Sequence, residues 1–423
     1  MDEIFLQNCW KYKLIDFQHL ITSKGEKVIV HQVGKHNTDE GPDFLHAKIE
    51  IEGVLWFGSV EIHTKLSDWH LHKHDQNKNY ETVILHLVYK NNLDQEINSI
   101  PVVELKKYIP QTIIDEYNYW KAFTEGFIPC EKDFPLVDLT FKNLFLESIY
   151  LERLEEKTKL IEKELAQNQY NWEFVFFTHF ASAMGLKINS EAFGNLASSM
   201  PFSLIQKAAK NQWELEALLF GQAGFLEENL EDEYHQKLKE IYGYYKHKHQ
   251  LTPINKEQFK FFRLRPQGFP TIRIAQLAAI YLKKESIFSH LIQLKTLEEY
   301  YSFFETIKPS KYWQNHYQFG KESESISNKN LSQSKIDLLL INAILPFKFA
   351  HEKILGEAQY DEVLETIASI GSENNSIIEK YQKLGLKTNN AMQTQALLHL
   401  NKHYCKRKKC LNCSIGIEIL RKK

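Results

Sequence analysis

Two acidic residues occupy positions where metal-dependent hydrolysis could take place. Asp43 and Glu61 each lie nine residues from Glu52, the centre of a predicted hairpin, and would face each other across it. A strict two-residue turn at Glu52 and Gly53 would instead set Asp43 opposite Ile62, so the pairing requires a three-residue turn or a bulge. Two adjacent carboxylates repel each other unless one is protonated or a cation lies between them. The pattern therefore predicts a site for Mg²⁺ or Mn²⁺.

The strand that carries Glu61 offers two further groups on the same side. Side chains alternate along a strand, so His63 and Lys65 share the side of Glu61. His63 is either a third ligand or the group that handles the attacking water, and Lys65 lies one step further along. The predicted catalytic residues are thus Asp43, Glu61, His63 and Lys65. The alternative is a pair of solvated carboxylates on an exposed sheet face.

A run of histidines follows this strand. His70, His72 and His74 lie at alternate positions within residues 68–75, with Tyr80 and His86 nearby. In an extended segment they would line one face, so that one metal could take two of them. The segment would then fold over the carboxylate pair and add either a metal ligand or a phosphate-binding histidine. One alternative is a solvated polar loop. A cupin-like site is disfavoured because a jelly roll needs about eight strands, and five strands are predicted.

Four cysteines form a further candidate metal site. Cys405, Cys410 and Cys413 lie near the end of the chain, and Cys130 is the best fourth ligand. Zn²⁺ and a 4Fe-4S cluster both accept four thiolates. Cys9, beside a tryptophan on an apolar helix face, is expected in the core. The alternative is free thiols in a basic tail.

Three arginines surround a rigid turn with two prolines. Arg263 and Arg265 share a side if the segment is extended, and Arg273 opens the following helix. Guanidinium groups bind phosphate in a forked geometry, so these residues are candidate phosphate or nucleic-acid ligands. The alternative is that they pair with acidic residues of neighbouring helices.

The elements that must position these groups follow from hydrophobic periodicity. Residues 3–20 predict a helix, and Asn91 and Asn92 a turn. Strands are predicted at residues 27–33, 44–51, 54–63, 82–89 and 97–105, the last pairing back on its predecessor. After Pro110 helical periodicity dominates. The predicted fold class is α+β. A small mixed or antiparallel sheet domain spans residues 1–110, and an all-α domain closed by the cysteine cluster spans residues 111–423.

Composition limits the classes of function. The 423 residues include 52 basic and 54 acidic ones, so nucleic-acid binding would need a local patch rather than the field of the whole molecule. Runs of about 18 apolar residues and the features of a signal peptide are absent from the sequence, and five cysteines do not suggest a secreted disulfide framework. The expected location is the cytoplasm, without a membrane partner.

The acidic pair resembles the PD-(D/E)XK nuclease superfamily. The sequence has Pro42-Asp43 followed by Glu61-Ile62-His63, and the order of helix, strand and hairpin fits that core. The resemblance covers about a quarter of the chain and implies that Asp43 and Glu61 are metal ligands and that DNA or RNA is the partner. His63 stands where that motif has a lysine. Some nucleases of this superfamily hold an iron–sulfur cluster through one upstream and three downstream cysteines, a layout similar to this one.

Over nearly its full length the chain also resembles an uncharacterised bacterial family, the domain of unknown function DUF2851. This resemblance implies no particular activity. The stretches that carry it are residues 41–44, 58–63, 67–69, 216–224, Arg265-Pro266, Phe269-Pro270 and the cysteine tail.

These observations together predict a divalent-metal-dependent phosphodiester hydrolase that acts on nucleic acid. One alternative is a non-catalytic nucleic-acid-binding protein with a degenerate nuclease site, which the lysine-to-histidine departure at His63 favours. Another is a hydrolase or isomerase of small molecules that binds its metal through His70, His72 and His74.

Overall fold

The computed structural model describes residues 1–93, 100–284, 286–324, 326–356 and 360–423. The strands are β1 (Val28–Gln32), β2 (Lys35–His36), β3 (Phe44–Ile51), β4 (Val54–Lys65), β5 (Val83–Lys90), β6 (Val102–Glu104), β7 (His316–Gln318) and β8 (Lys321–Glu322). The helices are α1 (Glu3–Lys11), α2 (Asp68–Leu71), α3 (Gln111–Ala122), α4 (Leu139–Gln167), α5 (Trp172–Met184), α6 (Leu186–Ser198), α7 (Phe202–Ala208), α8 (Gln212–Gln222), α9 (Glu233–His249), α10 (Pro270–Lys283), α11 (Ile287–Leu291), α12 (Leu297–Glu305), α13 (Gln333–Leu339), α14 (Leu345–Leu355), α15 (Asp361–Ser369), α16 (Ser376–Lys383), α17 (Ala391–Leu400) and α18 (Ser414–Arg421).

A mixed sheet precedes a large helical region, which confirms the predicted α+β class. The sheet has the order β1-β3-β4-β5-β6, with β2 paired to β3. Strands β1, β3 and β4 are antiparallel, whereas β5 runs parallel to β4 and β6 parallel to β5. The last strand does pair with β5, as predicted, but it runs parallel to β5 rather than back along it. Residues 97–99 of that predicted strand lie outside the described residues.

The hairpin between β3 and β4 sets the register of the acidic pair. Ile51 pairs with Val54 across a two-residue turn, and Glu52 and Gly53 both have positive φ (47° and 77°), as a tight hairpin turn requires. Further along, the register shifts by one residue between Phe44 and Ala47. This bulge brings Phe44 opposite Val60, so the chain enters β3 with Asp43 beside Glu61. The bulge that the sequence required is present.

Helix α1 is shorter than the predicted helix over residues 3–20. Asp2 caps it by accepting a hydrogen bond from the Phe5 N–H. It ends at Lys11 because Lys13 adopts a left-handed conformation (φ 55°), and the N–H of Asp16 then bonds to the carbonyl of Tyr108 instead. The apolar face is buried as expected, with Phe5, Leu6, Cys9 and Trp10 in the core.

The chain divides into two compact units. Unit 1 comprises Met1–Phe145, Ser376–Lys387 and Leu398–Lys423, and unit 2 comprises Leu146–Asn375 and Thr388–Leu397. The predicted domain boundary at residue 110 falls inside unit 1. The sheet, the histidine run and the four candidate cysteine ligands all belong to unit 1.

Unit 2 is helical and has an aromatic core. Trp172 stacks on Phe288 with ring centroids 5.2 Å apart, and Phe176 meets Phe347 edge to face at 5.3 Å. Such pairs add specific geometry to the apolar burial. Among the described residues, none of the helices combines the length and the apolar character needed to cross a lipid bilayer.

Candidate metal centre

Asp43 and Glu61 meet across β3 and β4, and each carboxylate holds the backbone of the other strand. The N–H of Asp43 donates to Oε2 of Glu61 at 3.0 Å, and the N–H of Ile62 donates to Oδ2 of Asp43 at 3.0 Å. The side-chain amide of Gln7, on α1, donates to Oδ1 of Asp43 at 2.8 Å. Both oxygens of Asp43 therefore accept hydrogen bonds, whereas Oε1 of Glu61 faces the histidines.

The protonation of this acidic pair is shifted by its surroundings. Burial raises the pKa of the Asp43 carboxyl, and the neighbouring charge of Glu61 raises it further. Burial also raises the pKa of Glu61, which is only 4% exposed. The pair consequently favours holding a proton. A cation beside Glu61 would favour the ionised form instead.

Three imidazoles, those of His63, His72 and His74, converge in one cluster, with ligand nitrogens all within 4.8 Å of one another, and Oε1 of Glu61 lies beside two of them. This oxygen lies 3.4 Å from Nε2 of His63 and 3.3 Å from Nε2 of His74. Nε2 of His63 lies 3.2 Å from Nδ1 of His72 and 3.3 Å from Nε2 of His74. Tetrahedral ligands at Zn–N distances of 2.0–2.1 Å stand about 3.3 Å from one another. The separations that join His63 to His72, His74 and Glu61, and His74 to Glu61, thus match the edges of such a tetrahedron.

The ring nitrogens at the centre of this cluster are available as ligands. Nδ1 of His63 lies 2.8 Å from Nε2 of His86, a neighbour on β5. Burial, with help from the other imidazoles, lowers the pKa of His63 to about 2 and that of His86 to about 3, and burial also lowers the pKa of His74. The rings are neutral at pH 7. If His63 donates its one proton to His86, its Nε2 presents a lone pair to the cluster, as a metal-ligating histidine does.

The segment after β4 brings His72 and His74 to the strand by turning rather than by extending. Asp68 accepts hydrogen bonds from the Thr64 hydroxyl (2.8 Å) and the Lys65 N–H (2.9 Å), which starts helix α2 directly after β4. Lys73 is left-handed (φ 58°), and this bend between the two histidines turns both rings toward His63. The ring of His74 stacks on Tyr80 at 3.7 Å.

Two predicted site residues lie apart from the cluster. His70 is exposed, and its Nδ1 lies 3.7 Å from Oδ1 of Asp75. The expectation of an extended run with three histidines on one face fails because α2 rotates His70 away. Lys65 is exposed at the end of β4.

Sequence reasoning missed the contribution of α1. Glu3 and Gln7 lie one helical turn apart beside the apolar face, which is the spacing that would have pointed to them. Oε1 of Glu3 lies 3.9 Å from Nε2 of His63, and its side chain is 38% exposed. Burial raises its pKa. His86, expected only as a neighbour of the histidine run, supports His63 directly.

The remaining candidate residues lie elsewhere. Cys130, Cys405, Cys410 and Cys413 form a separate group in unit 1. Arg263 and Arg265 are exposed in unit 2. Arg273, in the first turn of α10, donates to Oε1 of Gln276 at 2.8 Å, and burial lowers its pKa to about 10.

Comparison with known proteins gives one match. A family model described as "Protein of unknown function (DUF2851)" matches residues 3–376, which confirms the family predicted from the motifs. The match ends before Cys405. No curated protein and no solved structure matches the chain, so the PD-(D/E)XK resemblance gains no support from these comparisons.

Proposed function

Since this chain belongs to the DUF2851 family, whose description names no activity, we propose a function from its own site. It is a divalent-metal-dependent hydrolase whose metal is held by Glu61, His63, His72 and His74. The observation that carries this proposal is the convergence of three imidazoles, with ligand nitrogens all within 4.8 Å of one another, beside a carboxylate oxygen that lies 3.3–3.4 Å from two of them.

The ligand types favour a transition metal. Imidazole nitrogen suits Zn²⁺ and related first-row ions, whereas Mg²⁺ prefers six oxygen ligands. Of the ions considered from sequence, Mn²⁺ therefore fits better than Mg²⁺. The proposal keeps Glu61, His72 and His74 as predicted ligands, assigns His63 as a ligand, and leaves out His70. Asp43 becomes a positioning residue, because its oxygens already bond to Ile62 and Gln7.

One side of the cluster faces solvent, and Glu3 and His72 lie on it. Both side chains are exposed at least in part, whereas His63 and His74 are buried. A cation at this position would lower the pKa of water and stabilise charge on a substrate oxygen. Glu3 has a raised pKa and is the general base that we propose. It accepts the proton of the attacking water and returns it to the oxygen that leaves when the ester bond breaks.

The proposed substrate is the phosphodiester of DNA or RNA. The order of α1, β1 and the β3–β4 hairpin, with Pro42-Asp43 and Glu61 at neighbouring strand positions, supports a nuclease-like arrangement. His63 occupies the position of the usual lysine. Its Nε2 points into the ligand cluster, so we assign it to metal binding rather than to proton transfer.

A non-catalytic role is the second candidate. Catalytic zinc sites keep one position open, whereas structural sites are closed by four protein ligands. Here Oε1 of Glu61 lies 3.3–3.4 Å from two of the three clustered histidines and can serve as a fourth protein ligand that closes the site. This favours a protein in which the metal only fixes the segment after β4, and which binds nucleic acid or another partner without cleaving it.

The test uses the full chain, stripped of metal with a chelator and reloaded with Zn²⁺ or Mn²⁺. Single- and double-stranded DNA, RNA, a chromogenic phosphodiester and a chromogenic carboxylic ester are the substrates. We expect one ion per chain at this site and metal-dependent cleavage. His74→Ala should lose both, and His70→Ala, in the same histidine run but outside the cluster, should lose neither.

The outcomes separate the candidates. Metal binding with salt-dependent nucleic-acid binding and no cleavage would select the non-catalytic role. Cleavage of the carboxylic ester alone would overturn the assignment of phosphodiesters. Failure of the wild type to bind either ion would overturn the metal site itself.

A further inference from the structure

Four of the five cysteines form a second buried group of ligands in unit 1. All five cysteines lie in the described residues and are free thiols. Cys130, Cys410 and Cys413 are 7–8% exposed, and Cys405 is half-buried. The fold brings Cys130 together with a tail that is more than 270 residues away in the sequence. The proposed hydrolase site does not use this group.

The tail is folded tightly around its cysteines. Cys405 ends a π-helical turn, Asn401–Cys405, and Cys410 begins a short 3₁₀ turn. The N–H of Cys413 donates to the carbonyl of Cys410 at 3.2 Å, and Cys413 precedes the first residue of α18. A side chain at Gly416 would approach the Cys410 carbonyl oxygen to 2.2 Å, so this position requires glycine. Such a turn holds Cys410 and Cys413 in a fixed relation.

Hydrogen-bond donors surround two of the four sulfur atoms. Burial, and then the charges of Cys405, Cys413 and Cys410, raise the pKa of the Cys130 thiol. The surroundings nevertheless provide donors to sulfur, since backbone N–H groups of Gly416 and Ile415 bond to Cys413. The hydroxyl of Tyr381 also lies 3.5 Å from Sγ of Cys405.

The separation of the sulfurs discriminates between a single ion and a cluster. A single Zn²⁺ with Zn–S bonds of 2.3 Å holds its sulfurs about 3.8 Å apart. No three of these four sulfur atoms, all within the described part of the chain, lie within 4.8 Å of one another. A cubane cluster is larger than one ion and takes its four thiolates at wider separation.

We propose that Cys130, Cys405, Cys410 and Cys413 bind one 4Fe-4S cluster. The cluster joins the segment around residue 130 to the tail and thereby stabilises unit 1. Tyr381 covers Cys405, and its ring packs against Phe127 (4.8 Å) and Phe134 (5.7 Å). Tyr381, held in place by these two rings, therefore shields the Cys405 side of the site from solvent.

The test is an analysis of the full chain expressed with ample iron and purified without oxygen. We expect four iron and four acid-labile sulfide per chain, and broad visible absorption that dithionite bleaches. Cys410→Ser and Cys130→Ser should lose most of the iron and sulfide. Cys9→Ala is the matched control, because Cys9 is a buried cysteine outside the group, and it should keep both.

The wild-type analysis decides the proposal even where a variant does not fold. One zinc per chain without sulfide would overturn the cluster in favour of a single ion. Absence of both metals from the anaerobic protein would overturn the site. His74→Ala should retain iron and sulfide, so the failure of the hydrolase proposal and that of the cluster proposal are distinguishable.

Discussion

Replacing Asp43 tests how the acidic pair and the histidine cluster divide their roles. Ile62 is fully buried, and Asp43→Ala removes the acceptor for its N–H. An unsatisfied buried N–H costs about 1–3 kcal/mol. The second donor, Gln7, is half-buried and regains a partner in water, so it adds little. We expect the free energy of unfolding of the metal-free protein to fall by about 2 kcal/mol. Asp43→Asn keeps an acceptor for Ile62 and should cost less than about 1 kcal/mol.

Metal binding should respond less to the substitution of Asp43 than to the substitution of Glu61. Asp43 supports Glu61 without joining the converging atoms, and loss of such outer partners typically lowers metal affinity by about 10–100-fold. At fixed excess metal this reduces the metal-dependent stabilisation by about 1.4–2.7 kcal/mol. Glu61→Ala removes a ligand and should abolish stoichiometric binding. Urea unfolding with and without Zn²⁺, together with calorimetric titration, measures both quantities for each variant.

Two results would refute this reasoning. If Asp43→Asn abolished stoichiometric binding as completely as Glu61→Ala, Asp43 would be a ligand and the original carboxylate pair would be the metal site. If Asp43→Ala left the metal-free stability unchanged, its hydrogen bonds across the hairpin would contribute nothing. A circular dichroism spectrum of each variant provides the control for folding.

Two further predictions concern protonation and the support of the ligands. Burial raises the pKa of Asp43 and Glu61 in the folded state. The protons that they hold there therefore add to the free energy of unfolding. This contribution is complete below the pKa values of the unfolded chain, near 4, and is lost as the pH rises through the pKa values of the folded state. Urea unfolding of the metal-free protein should therefore show a free energy of unfolding that declines from pH 5 to pH 8, by at most about 1.4 kcal/mol per pH unit for each proton released. The double variant Asp43→Asn, Glu61→Gln should show a flatter profile. A free energy of unfolding that rises with pH in the metal-free wild type would contradict the assignment. His86→Ala removes the partner that orients His63 and should lower Zn²⁺ affinity by about 10–100-fold in calorimetry. Unchanged affinity would show that the contact between these two rings does not support metal binding.

Part of the candidate site followed from the sequence because it depends on local geometry. The spacing of Asp43 and Glu61 about Glu52 is a property of one hairpin, and the need for a bulge follows from counting residues along two strands. The α+β class followed from the change of hydrophobic periodicity after Pro110. The family followed from short motifs spread along the chain.

The sequence alone determined the hairpin, its acidic pair and the presence of ligand-type side chains. Tertiary structure alone decided which of them meet. A single left-handed residue, Lys73, turns His72 and His74 toward His63 while α2 carries His70 away, and strand periodicity contains no information about such a bend. Glu3 lies at the cluster because α1 brings it beside His63. Cys130 lies near the tail cysteines although they are distant from it in sequence. Contacts between distant segments depend on how whole elements pack, so residue spacing cannot fix them.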